Sequence, residues 1–466
     1  MGLPAKLDPP APRSEAGTGP SSQARVRLRK FPYPYVAAAT VASDIDNATY
    51  NRFTAVHSLF CGSDLIRPGT VEWNTLGLTA DSAWYDPSAG GVPGLGLDLA
   101  DSFFLIADNV SMGMYAFDAS RGAFREGVSD GHNTLGATRD WIRQGRMDTY
   151  HGFMHYRREQ VLPLLEEFHR WCESEGVAKP CVWINHSMPV CPTGICPASY
   201  RPNWPYTVAR QIARAALGPL WGLKPRLILW RPRWYYGATP GSPYYINDAL
   251  RANGLRYVWL GAKDELANVI SLPERRYGEQ SSILEPVTMD DGIPYYRFLR
   301  CYGRTRAPRG VTVALRTSPI AFDASTLFTD ENLRRLCRDQ GTCILYTHWT
   351  LARSLPVQDE TIANFHRLRS VRDQGLVWVA PLSRVLEWTR LRTFLKYSSR
   401  VESGCLVIDV EAVDDPVFGR AALSPDQCRG LSFDLPRATG PVAVRLAGRA
   451  LPPGTVQRQG DVCWIR

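Results

Sequence analysis

The chain is poor in histidine, with eight in 466 residues, and it contains no run of 18 apolar residues. The second absence argues against a membrane-spanning helix. No Gly-x-Gly-x-x-Gly follows the first apolar run and no Walker loop occurs, so the usual marks of a nucleotide-binding sheet are missing. Lys and Arg outnumber Asp and Glu by 54 to 45, a net charge of +9, yet no basic block is interleaved with aromatics. Nucleic-acid binding is therefore not expected. The first thirty residues lack the apolar core of a secretory signal, which predicts a cytoplasmic protein without a transmembrane segment. Eleven cysteines, an odd number, suit a reducing compartment better than a disulfide framework. Cys191 and Cys196 stand C-x4-C among prolines, but no second close pair completes a zinc knuckle.

What is present is enough for a large core: 44% of residues are hydrophobic and 21% charged. The 14 Trp and 20 Tyr suit a carbohydrate-facing cleft, or equally a core filled with large rings. Residues 1–30, rich in Pro, Ser, Gly and Ala, read as a disordered tail. Residues 31–395 alternate strand and helix patterns. Strands are expected at 36–44, 146–150, 181–186, 226–230, 256–260, 342–347 and 376–380, with a strand pair near 95–106. Helices are expected at 47–60, 135–144, 158–175, 208–217, 245–253, 329–340, 359–374 and 382–395. Repeated βα units imply a parallel sheet with helices outside, and about seven of them favour a barrel over an open sheet. Residues 396–466, with short apolar runs between Gly/Pro turns, read as a small β-rich domain. The pattern specifies no oligomeric state.

Three groups carry chemistry. Ser43-Asp44-Ile45-Asp46 ends the first strand, and residues i and i+2 of an extended chain share a face, so both carboxylates can reach one site. The alternative is that either aspartate caps the following helix. His151-Gly-Phe-Met-His155 follows a later strand; on a helical turn an i, i+4 pair can bind one cation, and otherwise it is a surface pair. Gly152 stands where a zinc protease needs Glu. His186 and His348 follow two further strands, and Asp98 and Asp101-Ser102 are placed to line the same mouth.

Together these motifs resemble the polysaccharide deacetylase superfamily, the NodB-homology or family 4 carbohydrate esterases. The resemblance runs from about residue 36 to 390. Asp44/Asp46 is similar to the family's acidic pair, His151/His155 to its His-x-x-x-His, and Ile344-Leu-Tyr-Thr-His348 to its late histidine strand. The resemblance implies a distorted (β/α)7 barrel, here with a small C-terminal all-β domain. It also implies a divalent metal, Zn²⁺ first, on Asp46, His151 and His155, with Asp44 as base and His348 as acid. His186, Asp101 and Arg231 would contact substrate or support these groups. Two departures stand out: Ile45 separates aspartates that are adjacent in the family, and Gly152 replaces a Ser or Thr. Arg231-Pro-Arg-Trp-Tyr-Tyr-Gly237 is a loose counterpart of the family's Arg-x-Pro-x-Gly loop.

The function so implied is metal-dependent hydrolysis of an N-acetyl or other acyl group on a carbohydrate or glycan precursor. Two rivals are a carbohydrate-binding barrel that has lost catalysis, and a glycosidase, which needs two carboxylates about 5–10 Å apart.

Overall fold

A computed structural model describes residues 26–107, 112–153, 156–185, 193–197, 236–261, 264–272, 283–303, 327–350, 355–437 and 440–466. The expected helix at 208–217 and strand at 226–230 lie outside these residues.

The chain is a mixed α/β protein whose two principal sheets are mostly parallel. The first strand of the central assembly, β1 (Ala37–Ser43), is buried at every residue and leads to α1 (Tyr50–Phe60), whose N-cap is Thr49. There follow β2 (Asp101–Ala107), α2 (Thr134–Arg143), β3 (Met147–His151), α3 (Arg158–Glu175), β4 (Val182–Ile184), α4 (Asn247–Ala252) and β5 (Tyr257–Trp259). Next come β6 (Glu265–Ala267), β7 (Leu284–Thr288), β8 (Pro294–Phe298), β9 (Arg300–Tyr302), α5 (Asp330–Arg338) and β10 (Thr342–Thr347). The α/β part ends with α6 (Asp359–Asp373), β11 (Val377–Val379) and α7 (Leu382–Phe394). Helix α3 stops where expected, on Gly176, whose φ of 65° is left-handed and favours glycine.

The strands lie in two principal sheets. One runs β7-β8-β5-β4-β3-β2 and adds the strands Gly113–Asp118 and Ala123–Glu126; the other runs β6-β9-β10-β1-β11. All pairs of the second sheet are parallel. The first is antiparallel only at its two ends. The sheets meet twice. Leu299 alone separates β8 of one from β9 of the other, and Ser102 Oγ on β2 donates to the Ser43 carbonyl on β1 at 2.7 Å. Expectation and structure differ at 95–106, where one strand, β2, starts only at Asp101.

Alternate residues of the central strands enter different cores, the period-2 signature of strands covered on both faces. Val182, Ile184, Tyr257 and Trp259 join one core with residues of α1, α5 and α6. Trp183 and Val258 join a second with Val161, Leu165 and Phe168 of α3.

After residue 395 the chain is strand-rich, beginning with β12 (Leu395–Glu402) and β13 (Cys405–Asp415). It is not purely β, because a capped helical turn forms at Pro425–Cys428. Nor is it separate. Strand Arg27–Leu28 pairs with Ser432–Asp434, and a third core joins Ala38, Val385 and Trp388 to Ile408, Phe433 and Ile465. Residues 26–30, within the tail expected through residue 30, are among the described residues, and Arg27–Leu28 forms a strand.

Candidate functional site

Strand β1 ends at Ser43, and the Asp44 N–H extends its ladder by one bond, donating to the Thr347 carbonyl of β10 at 3.0 Å. Ile45 is fully buried in the core that holds Phe53 and Trp141. With Ile45 anchored there, the flanking Asp44 and Asp46 turn to the other side. The insertion that separates the two aspartates thus brings them to one face. Neither caps α1, whose cap is Thr49.

His151 is the last residue of β3, and Gly152 follows with φ of 55°. The expected helical turn is absent at this residue: α3 starts only at Arg158, so i, i+4 helical geometry does not place His151. The strand end does. His348 likewise follows the last residue of β10.

These three strand ends converge. His151 Nε2 lies 3.1 Å from Asp46 Oδ1, and His348 Nε2 lies 3.4 Å from Asp46 Oδ2. Asp44 is close to both rings, 4.0 Å from His151 Nδ1 and 3.7 Å from His348 Nε2. Asp44, His151 and His348 are buried, while the Asp46 side chain keeps 28% of its exposure. The group is therefore reached from solvent past Asp46.

Sequence reasoning missed a fifth member. Arg300 on β9, fully buried, donates to Asp44 Oδ1 at 2.8 Å and to Glu265 Oε1 on β6 at 3.2 Å. Its guanidinium stacks between Trp259 and Tyr346, 3.5 Å from each ring centre. Burial alone would raise the Asp44 carboxyl, but Arg300, then His151 and His348, outweigh it and hold it below its ordinary range. Glu265 goes the other way, raised by burial despite Arg300. Burial also keeps the Tyr346 hydroxyl protonated. The available signal was an arginine inside the aromatic run Tyr295-Tyr-Arg-Phe-Leu-Arg300-Cys-Tyr, where a charge needs a buried partner.

The other expected residues divide. His155, His186 and Arg231 lie outside the described residues, as does Cys191. Cys196 is buried. Asp98 is exposed and faces Arg384 at 3.8 Å. Asp101 is 1% exposed and accepts the indole N–H of Trp349, the residue after His348.

Among the described residues no group of three or more His, Cys, Asp or Glu side chains is arranged to hold a metal ion. The Asp46–His151 separation of 3.1 Å is nevertheless close to a tetrahedral edge, about 3.3 Å for ligand bonds of about 2.0 Å. The same separation is that of an ordinary Asp46–His151 hydrogen bond. No protein-family model and no curated protein matches this chain.

Proposed function

We propose that the chain is a divalent-metal-dependent hydrolase of the polysaccharide deacetylase type, removing an N-acetyl or other acyl group from a carbohydrate or glycan precursor. The observation that supports this most is the placing of Asp46 between the Nε2 atoms of His151 and His348, at 3.1 and 3.4 Å, with Asp44 behind them. In this reading the two sheets, joined at Leu299 and at the Ser102–Ser43 bond, form a distorted (β/α)7 barrel with the site at the carboxyl ends of its strands.

Asp46 and His151 would hold the cation, with His155 as the third ligand implied by the resemblance. A bound divalent cation supplies acidified water and stabilises negative charge on the acyl oxygen. Asp44, kept ionised by Arg300, would accept a proton from the attacking water. Arg300 lowers its basicity but fixes its position. His348 protonates the leaving amine through Nε2, a step worth about 10²–10⁴ in rate.

The test is metal analysis joined to acetate release from N-acetylated oligosaccharides. About one zinc or similar ion per chain is expected, lost together with activity in His151→Ala. A folded wild type that stays metal-free after incubation with zinc or cobalt and releases no acetate would sink the reading. Saccharide binding unchanged by Asp44→Asn would then favour the non-catalytic alternative, which the engagement of Asp44 by Arg300 also suits.

A further inference from the structure

The start of β2 reaches both loops of the site from below. Ser102 Oγ donates to the carbonyl of Ser43, the residue before Asp44, at 2.7 Å. Its neighbour Asp101 accepts the indole N–H of Trp349, the residue after His348, on Oδ2 at 2.7 Å. The same Oδ2 lies 3.4 Å from His57 Nε2, and Oδ1 accepts the Ser102 N–H at 2.9 Å. Asp101, Ser102, His57 and Trp349 are each no more than 1% exposed. Trp349 stacks on Phe60 of α1 with ring centres 5.3 Å apart and planes 6° from parallel, and meets His57 edge-on.

We infer that Asp101 and Ser102 are a positioning pair that sets the distance between the Asp44–Asp46 loop and His348. Two adjacent residues of one strand grip the chain one position before the first aspartate and one position after the histidine. A fully buried carboxylate is costly unless its oxygens are satisfied, and here indole, backbone and imidazole donors surround it. The arrangement is stiff because each anchor also packs: Trp349 on Phe60, and His57 against Phe53 at 4.1 Å. An apolar residue at 101 would pack, but it would leave the buried Trp349 N–H without its acceptor and remove the bond that fixes the chain next to His348. Asp101 touches no substrate in this role and acts only through Trp349.

The inference rests on His348 serving the proposed hydrolysis, and the experiment separates the two claims. Trp349→Phe keeps an aromatic ring against Phe60 and removes the N–H together with the pyrrole half of the indole. Ser102→Ala removes only the hydroxyl, and serves if the first variant does not fold. Acetate release from N-acetylated oligosaccharides, whose amine leaving group needs a proton, is measured with imidazole NMR spectra of histidine-labelled protein, His348 and His169 being assigned through their Gln variants. In Trp349→Phe, kcat should fall about tenfold with KM within about twofold, since small misplacements of an aligned group cost rate more than binding. The His348 resonances should move and those of His169 stay. Wild-type His348 resonances together with wild-type kcat in both variants would overturn the inference. If wild type releases no acetate, the proposed reaction loses support, and the His348 spectrum alone decides the positioning claim.

Discussion

Arg300 sits with both faces of its guanidinium covered by aromatic rings and its edge turned to Asp44 and Glu265. A planar, always-charged side chain suits that slot in a way Lys would not. Replacing it by Met fills the slot but leaves Asp44 buried without its cation. Arg300→Met should therefore lose about 3–5 kcal/mol of stability in urea unfolding, the range for removing one partner of a buried pair. The pH dependence follows from the sign of the Asp44 shift. Its folded value lies below the ordinary 3.8, so its contribution is complete above that value and is lost as pH falls through the folded one. In Arg300→Met the burial that remains raises the carboxyl, and acid sensitivity should begin at higher pH. A variant whose acid limb coincides with wild type would show that Arg300 does not set the charge of Asp44.

At the scale of elements, β1 and β10 were legible because each is a largely apolar run followed by a polar site residue, whereas β3, Met-Asp-Thr-Tyr-His, is mixed. β10 appears at 342–347 as the sequence predicts, and α3 and its glycine stop also match. The i, i+2 rule for Asp44 and Asp46 held because Ile45 takes up the opposite side. Arg300 was not legible as a site residue: its strand has three residues, and its partner Asp44 is 256 positions away. The helical turn assigned to His151 came from spacing alone, which cannot see that Gly152 takes a left-handed conformation. The seam between β3 and α3 carries its own prediction. The Tyr150 hydroxyl and His169 Nε2 share a hydrogen bond at 2.8 Å, and burial pushes His169 down to about 4. A depressed imidazole gives stability that is complete above its ordinary 6.5 and lost as pH falls through about 4. Urea midpoints should therefore decline between those values, and His169→Gln should flatten that decline. An unchanged slope in the variant would assign the loss to other groups.

On the scale of the whole molecule, the strand-rich part after residue 395 is tied to the α/β part by buried charge as well as by a shared core. Asp415 at the end of β13, with no side-chain exposure, accepts from Arg390 of α7 and Tyr296 of β8, each at 2.8 Å. It also accepts the N–H groups of Val417 and Phe418, at 2.8 and 3.1 Å. Glu387 of α7 continues the network, accepting from the Tyr257 hydroxyl at 2.6 Å and from Arg390 at 2.7 Å. These bonds join the β12–β13 hairpin to two strands of the first principal sheet. A part held this way should not unfold alone. Wild type is therefore expected to lose tryptophan fluorescence and far-ultraviolet circular dichroism in one urea transition. Asp415→Ala leaves Arg390 buried without this partner and should lower stability by about 3–5 kcal/mol. The transition should remain single, because the loss falls on the junction and destabilises both parts together. Two resolved transitions in wild type, or a variant in which only one probe shifts, would mean that the strand-rich part is an independent unit and that the network merely decorates its contact with the rest.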